Sequence, residues 1–218
     1  APGMSTLDID AIARENLKKE GATSSFLGYH GYPAVVCTSV NDEVVHGIPN
    51  DIKLKDGDLI SVDFGAIVES WHGDAARTYF VGNVNEEAKK LSAITEKAMW
   101  AGINATVAGA RLSDISHAIE KCILKDGEWG IVEEYAGHGI GTEMHMYPLV
   151  PNYGNPGHGP VLEVGMTFAL EPMVTAKSPD TFVLDDNWTV KTSDGSWASH
   201  WENTVAITEN GPWVLTEL

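Results

Sequence analysis

Cysteine, basic residues and long apolar runs are scarce in this chain of 218 residues. Two cysteines, Cys37 and Cys122, cannot form a disulfide framework, so we expect a reducing, cytoplasmic environment. No apolar run approaches the ~20 residues that a membrane helix needs, and the first residues lack the basic-then-apolar order of a signal peptide. The 14 Lys and Arg stand against 31 Asp and Glu, and the net charge of −17 argues against binding to nucleic acid or anionic membranes.

The chain has enough apolar mass for a packed core, at 43% hydrophobic residues, and it shows internal repetition. At an offset of 106 positions, five identities fall within nineteen aligned positions, where roughly one is expected from average residue usage. The matches are Gly3, Asp8, Ile9, Lys19 and Gly21 with Gly109, Asp114, Ile115, Lys125 and Gly127. At an offset of 108, His30 aligns with His138 and Asp63 with Glu171. We therefore predict one domain over residues 1–218, made of two related halves at about 1–84 and 85–218.

Each half begins with a helical pattern and ends in strand patterns, which predicts an α+β fold. A helix is expected between Ser5 and Gly21 in the first half, and helices at about 86–107 and 113–125 in the second. The first half thus has one helix where the second has two, so either it is shorter or a helix is missing upstream of Ala1. Strands are predicted at 34–39, 43–46, 59–68, 78–81, 131–135, 167–174, 188–192, 197–208 and 213–215.

Two aspartates are predicted to meet across a hairpin. Asp63 lies inside the apolar run 59–68, where an unpaired carboxylate costs several kcal/mol. Asp74 follows eleven residues later, and Glu69-Ser70 between them suits a turn that would place the two nearly opposite each other. Two carboxylates so close repel unless a cation holds both. The alternative is that Asp74 is a surface residue of the loop 71–74.

Two glutamates and one histidine extend this pattern. Glu171 and Glu202 lie among strand formers, and no basic residue is found in those runs. His138 stands in Gly137-His-Gly-Ile-Gly141, where the glycines leave room around the imidazole, although such a segment is also typical of a loop. The set of two Asp, two Glu and one His suits two divalent ions and indicates metal-assisted hydrolysis. Mn, Fe or Co fit this oxygen-rich set better than a thiolate-bound zinc would, and zinc stays open as an alternative.

The remaining candidates divide by their surroundings. His46 and His145 are placed to donate hydrogen bonds to a polarised carbonyl, and His30 to line a mouth with Tyr29 and Tyr32. Cys37 reads as a small pocket residue rather than a nucleophile, because no Cys/His/Asn pattern surrounds it. The other histidines are interpreted as loop, helix-surface or packing residues: His72, His117, His158 and His200.

Seven motifs in order carry a family resemblance. They are Gly28-Tyr-His-Gly-Tyr-Pro33, Val44-Val-His-Gly-Ile-Pro49, Val62-Asp-Phe-Gly65, His72-Gly-Asp74, Tyr135-Ala-Gly-His-Gly-Ile-Gly141, Leu170-Glu-Pro-Met-Val174 and Trp188-Thr-Val-Lys-Thr192. Over nearly its whole length the chain resembles type I (bacterial-type) methionine aminopeptidases of the pita-bread fold. The resemblance implies two pseudo-symmetric halves with a curved antiparallel sheet covered by helices. Members of that family usually begin with one more helix, which this chain is expected to lack.

The resemblance also implies an activity: removal of the N-terminal initiator methionine from proteins and peptides, with preference for a small second residue. It makes Asp63, Asp74, His138, Glu171 and Glu202 the ligands of two divalent ions, with Asp74 and Glu202 as bridges. In that family a metal-bridging hydroxide attacks the scissile carbonyl, Glu171 shuttles the proton, His145 stabilises the oxyanion and His46 orients the amide. The implied methionine pocket consists of Tyr29, His30, Tyr32, Cys37 and Trp188. The implied partners are the N-termini of peptides and of nascent chains, so the resemblance also implies activity near the ribosome.

The chain departs from the family pattern at a few positions, and other functions remain as alternatives. Phe26 and Met144 stand at variable pocket-wall positions, and Asn203 follows Glu202 where His is common, which predicts weaker support for that ligand. A related Xaa-Pro aminopeptidase would usually carry an additional N-terminal domain. A type II methionine enzyme would need an insertion larger than the 31 positions between Glu171 and Glu202. A catalytically inactive binding module and an inactive truncated enzyme are the remaining readings.

Overall fold

The structure is a computed structural model that describes residues 1–217. Within that range the helices are α1 (Thr6–Glu20), α2 (Glu86–Ala105) and α3 (Leu112–Lys125), with a short 3-10 turn at Tyr29–Gly31. The strands are β1 (Thr23–Ser24), β2 (Cys37–Val40), β3 (Glu43–Val45), β4 (Leu59–Val68), β5 (Trp71–Phe80), β6 (Gly130–Ile131), β7 (Gly137–Gly139), β8 (Met146–Val150), β9 (Thr167–Leu170), β10 (Met173–Thr175), β11 (Thr181–Val183), β12 (Val190–Thr192), β13 (Ala198–His200), β14 (Asn203–Thr208) and β15 (Gly211–Val214).

Helices α1 and α3 occupy equivalent places in the two halves. The backbone N–H of Ser5 donates to Asp8 Oδ2 at 2.7 Å, and that of Arg111 donates to Asp114 Oδ2 at 2.8 Å. Each acidic residue thereby satisfies an N–H group at the start of its helix. The two pairs are 106 residues apart, as the internal similarity predicts. Gly21 ends α1 with φ +67°, a left-handed conformation that suits glycine.

Antiparallel sheets form in both halves of the chain, and strand pairing connects the two halves. In the first half, β4 pairs with β1, β2 and β5. In the second half, a five-stranded sheet has the order β15-β14-β9-β7-β8. Strand β3 of the first half pairs with β12 of the second, which ties the two halves together. The predicted α+β class with antiparallel sheets is confirmed.

Helices α2 and α3 pack together and cover the second-half sheet. Gly102 lets them approach closely, because a Cβ there would lie 2.8 Å from Ile119 Cγ1. Leu91 and Met99 of α2 pack in one cluster with Phe168 of β9. This apolar layer leaves the polar residues of the strands to face the other side. Among the described residues, no helix has the length and apolarity needed to cross a membrane.

Several strands begin or end at other residues than predicted, because pairing with neighbouring strands determines their bounds. The predicted strand 167–174 is two strands, β9 and β10, separated by Glu171-Pro172, and 197–208 is likewise divided into β13 and β14 by Trp201-Glu202. Pro172 lacks the N–H that a continuous ladder needs. The segment 131–135 is strand only at its start, 34–39 becomes strand at Cys37, and 78–81 is the end of the longer β5. The short strands β1, β7, β8 and β11 were not predicted.

Candidate metal centre and substrate cavity

The hairpin of β4 and β5 brings Asp63 and Asp74 together. Glu69 and Ser70 form its two-residue turn, with φ +49° and +70°, between the paired Val68 and Trp71. Asp63 lies opposite Ala76 and Asp74 opposite Gly65, so the two aspartates are diagonal neighbours on one face. Asp74 is only 5% exposed, which rules out the alternative of a surface loop residue.

His138 comes from β7, a strand between β8 and β9, and not from an open loop as its glycine neighbours suggested. A Cβ on Gly137 would lie 2.4 Å from the Ala169 oxygen, and one on Gly139 would lie 2.8 Å from the Tyr147 oxygen. The glycines therefore allow close approach of neighbouring backbones, and His138 itself is 2% exposed. Its Nδ1 lies 2.9 Å from the Gly139 oxygen, and a proton placed there leaves the Nε2 lone pair facing the site.

Glu171 lies in the break between β9 and β10, and Glu202 lies in the break between β13 and β14. The two breaks are adjacent, because β9 pairs with β14 and β10 pairs with β13. The Glu202 backbone N–H donates to the Ala76 oxygen at 2.9 Å. Arg77 donates to the Glu202 carbonyl and, at 2.8 Å, to Asn203 Oδ1. Asn203, expected to weaken the support of Glu202, instead fixes the backbone beside it through Arg77 and Thr216.

The four carboxylates lie close together in a largely buried cluster. Burial raises the pKa of Asp63, Glu171 and Glu202 well above their usual range, and the nearby Asp74 raises them further. Burial also raises the pKa of Asp74, to about 6. Asp63 Oδ1 is buried and has no hydrogen-bond partner within residues 1–217. Such a group calls for a cation that these residues themselves do not provide.

The donor atoms fit divalent metal ions. One ligand atom each from Asp74, His138 and Glu202 lies within 4.8 Å of the others. Glu171 Oε1 lies 3.4 Å from His138 Nε2, where a lone pair and a carboxylate oxygen would repel without a cation. Carboxylate oxygens with one imidazole are ligands that Mn, Fe, Co and Zn accept.

A cavity of about 220 Å³ opens over this cluster. Its apolar wall consists of Phe26, Tyr29, Tyr32, Cys37, Met144 and Trp188. Tyr32 packs edge-on against Trp188 with ring centroids 5.0 Å apart. Burial raises the pKa of the Cys37 thiol, in agreement with a pocket residue rather than a nucleophile. His30, predicted to line the pocket, is exposed and packs against Tyr29 outside this lining.

His46 and His145 both line the cavity. His145 Nδ1 lies 2.7 Å from the Tyr29 hydroxyl, and its ring lies 4.2 Å from that of His138. His46 directly follows β3 and has φ +60°, a conformation that non-glycine residues adopt at a cost and that is frequent at functional sites. Loss of solvation lowers the pKa of each to about 4, so both imidazoles are neutral near pH 7.

His200, which we interpreted as a loop, helix-surface or packing residue, is buried at 2% exposure and lies beside the cluster, with its Nε2 3.7 Å from Glu171 Oε2. No local signal in the sequence pointed to this contact, because Glu171 comes from another strand break. His72, in contrast, is not part of the cavity lining, and its Nδ1 lies 2.9 Å from the Ser25 hydroxyl.

Comparisons with known proteins show similarity over nearly the whole chain. The model of metallopeptidase family M24 matches residues 1–209. Methionine aminopeptidase 1 of Mycobacterium tuberculosis (strain CDC 1551 / Oshkosh) is 53% identical over 99% of this chain and 84% of that protein. The crystal structure of methionine aminopeptidase from Thermotoga maritima superimposes with a TM-score of 0.97 at 43% identity, covering 100% of this chain and 87% of that one. The prolidase of Pyrococcus horikoshii OT3 is 24% identical with a TM-score of 0.76, over 100% of this chain and 55% of that one, and shows the shared fold alone.

Proposed function

Because this chain belongs to metallopeptidase family M24, we propose that it is a methionine aminopeptidase, which hydrolyses the bond after an N-terminal methionine. The observation that carries the proposal is the buried cluster of carboxylates and His138 beneath an apolar cavity of about 220 Å³. The cavity offers a methionine side chain an apolar wall and brings the adjoining peptide bond to the cluster. High identity to methionine aminopeptidases, against 24% to the prolidase, favours this activity over cleavage of Xaa-Pro bonds.

The proposed cofactor is a pair of divalent ions, Mn, Fe, Co or Zn. Asp63, Asp74, His138, Glu171 and Glu202 would hold them. Support for the set comes from the compact group of Asp74, His138 and Glu202 and from the orphaned oxygen of Asp63. Such a pair supplies an acidified water and a Lewis acid for the scissile carbonyl.

The chain's own residues bind and orient the substrate. Burial of the methionine side chain against Tyr32, Cys37 and Trp188 contributes ~2–3 kcal/mol. A free α-amine would be a ligand for an ion held by these residues, which restricts cleavage to the terminal residue. An internal peptide bond offers no free amine.

Three side chains are proposed to carry the chemistry. Glu171 takes the proton of the attacking water and gives it to the leaving amine. Neutral His145 donates a hydrogen bond to the oxygen on which negative charge develops, and His46 orients the amide beyond the scissile bond. Their low pKa suits them as hydrogen-bond donors without net charge.

The proposed partners are N-termini of peptides and of nascent chains, so the enzyme would act near the ribosome. A cytoplasmic location is proposed with it. Cys37 and Cys122 are both free thiols, which suits a reducing compartment.

Metal removal and replacement tests the function. The protein is stripped with a chelator, and Mn, Co, Fe or Zn is added back singly while release of the first residue from Met-Ala-Ser and Xaa-Pro-Ser is followed. We expect metal-dependent release of methionine. Release from the proline peptides alone would assign the Xaa-Pro activity instead, and no release with any metal, while two ions still bind, would indicate an inactive binding module.

Substrate preference gives a second test of the same site. A cavity of about 220 Å³ must hold the methionine side chain, the α-amine and the reacting amide, so little room remains for a bulky second residue. We expect kcat/KM for Met-Ala-Ser to exceed that for Met-Leu-Ser by about 10-fold or more. Equal values for the two peptides would contradict a constricted second subsite.

A further inference from the structure

The backbone of His200 is fixed by hydroxyl groups of the first half. Its N–H donates to Ser61 Oγ at 3.1 Å, and its carbonyl accepts from Thr78 Oγ1 at 2.9 Å. Ser61 and Thr78 belong to the same hairpin that carries Asp63 and Asp74. Strand β13 also pairs with β10, which places His200 opposite Met173. The residue is therefore held on both sides, and its imidazole has a defined direction.

That imidazole ends in an unused polar atom. His200 Nε2 is buried and lacks a hydrogen-bond partner in the described part of the chain. Buried nitrogen atoms without a partner are uncommon in proteins, because losing their hydration costs free energy. An atom in this condition indicates either a packing compromise or a partner that comes into range when the site is loaded.

Glu171 is the group in front of it. Glu171 Oε2 lies 3.7 Å from His200 Nε2, while Oε1 lies 3.4 Å from His138 Nε2. The carboxylate is thus placed between two imidazoles, one on each oxygen. At 3.7 Å the contact to His200 is longer than a hydrogen bond. Hydrogen bonds in substrate-free active sites are often long and shorten when the reactive complex forms.

We propose that His200 is a positioning residue for Glu171, whose Oε2 accepts a hydrogen bond from His200 Nε2–H in the loaded site. The inference rests on the proposed function, in which Glu171 moves the proton between water and leaving amine. With Oε1 directed to the side of His138, the bond from His200 fixes the rotation of the carboxylate. A fixed carboxylate keeps its proton-accepting oxygen aligned throughout the reaction.

Three substitutions separate positioning from packing. His200→Leu fills the space but removes the donor, His200→Gln carries an amide N–H to about the place of Nε2, and His200→Asn is too short to reach it. The exposed His158→Leu serves as a control for removal of a histidine outside the site. Each variant is loaded with the most active metal and assayed on Met-Ala-Ser, its Mn²⁺ binding is measured by calorimetry, and its folding by thermal melting.

We expect kcat to fall about 10- to 100-fold in His200→Leu and His200→Asn while KM and Mn²⁺ stoichiometry hold, and His200→Gln to recover most of kcat. If His200→Leu does not fold, the comparison of kcat between His200→Gln and His200→Asn tests the proposal in its place. The proposal would be overturned if His200→Leu and His200→Asn kept the wild-type kcat. It would also be overturned if the kcat of His200→Gln did not exceed that of His200→Asn. Lost Mn²⁺ binding in all three would make His200 a support of the metal site instead. An inactive wild-type protein would refute the proposed function itself, and not the role of His200.

Discussion

At the scale of single residues, His145 and Tyr29 form a pair at the mouth of the cavity. The Tyr29 hydroxyl lies 2.7 Å from His145 Nδ1, so it fixes the ring and leaves Nε2 for the substrate. Loss of solvation and the neighbouring His138 lower the pKa of His145 to about 4, which keeps it neutral near pH 7. A neutral donor aimed at a developing negative charge stabilises the transition state more than the ground state.

Replacing His145 by Ala should therefore reduce kcat about 100-fold and leave metal affinity nearly unchanged. Steady-state assays on Met-Ala-Ser and calorimetric titration with Mn²⁺ measure the two quantities. Tyr29→Phe is the matched comparison: it keeps the ring but removes the hydroxyl, and we expect a smaller loss of kcat. Collapse of Mn²⁺ affinity in His145→Ala would mean that His145 is a ligand rather than an oxyanion donor.

Several site residues could be predicted from the sequence because they violate a local rule. Asp63 is a carboxylate in an apolar strand, and the hairpin turn at Glu69-Ser70 locates its partner Asp74. His200 breaks no such rule, since a histidine in a half-polar strand is ordinary. What makes it notable is the position of Glu171, which comes from another strand and is fixed only by the tertiary fold.

At the scale of elements, helices were predicted within two residues of their observed ends, and several strands were not. The start of α1 depends on Ser5 and Asp8 and its end on Gly21, which are all local signals. Strands β9 and β13 instead end where the pairing partners change, at Glu171-Pro172 and Trp201-Glu202. Pairing of this kind depends on residues far apart in the chain, so periodicity alone could not locate the breaks.

The packing of α2 on α3 predicts a stability contrast within one helix. Ile119 is fully buried against Gly102, whereas Leu124 of the same helix is 56% exposed. Ile119→Ala should lower the free energy of unfolding by about 2–5 kcal/mol, because it leaves a cavity that the closely packed helices cannot fill. Leu124→Ala should change it by about 0.5 kcal/mol or less. Urea denaturation of both variants, in metal-free protein, measures the difference.

Activity adds a control to that comparison. Folded Ile119→Ala, assayed well below its melting temperature, should retain its kcat because α3 contributes no residue to the cavity lining. Equal losses of stability in the two variants would show that the α2–α3 contact is less tightly packed than the close approach at Gly102 indicates.

At the scale of the whole molecule, the formal net charge of −17 includes the four clustered carboxylates of the site. The raised pKa of Asp63, Glu171 and Glu202 and the pKa of about 6 for Asp74 mean that the folded, metal-free chain holds protons that the unfolded chain releases. In the unfolded chain these groups titrate near pH 4. As pH rises from about 4 through the folded values, these groups therefore lower the free energy of unfolding.

Buried histidines change the free energy of unfolding with pH in the opposite direction. A comparison of stability with and without metal must therefore separate the two effects. The pKa of His46 is lowered to about 4 and that of His200 to about 3, so their contribution to stability is lost as pH falls below about 6.5. Since they are present with and without metal, their effect largely cancels in a difference measured at one pH. What remains is competition between protons and metal for the carboxylates.

The rise in melting temperature caused by Mn²⁺ should therefore increase from about pH 5 to about pH 7.5, because at higher pH the metal relieves repulsion and displaces fewer protons. Thermal melts with and without Mn²⁺, at several pH values and constant ionic strength, measure this difference. The double variant Asp74→Asn/Glu202→Gln is the control: it removes two ligand charges and should abolish the Mn²⁺-dependent rise at every pH. A rise that stays constant across this range would show that protonation of the buried carboxylates does not oppose metal binding.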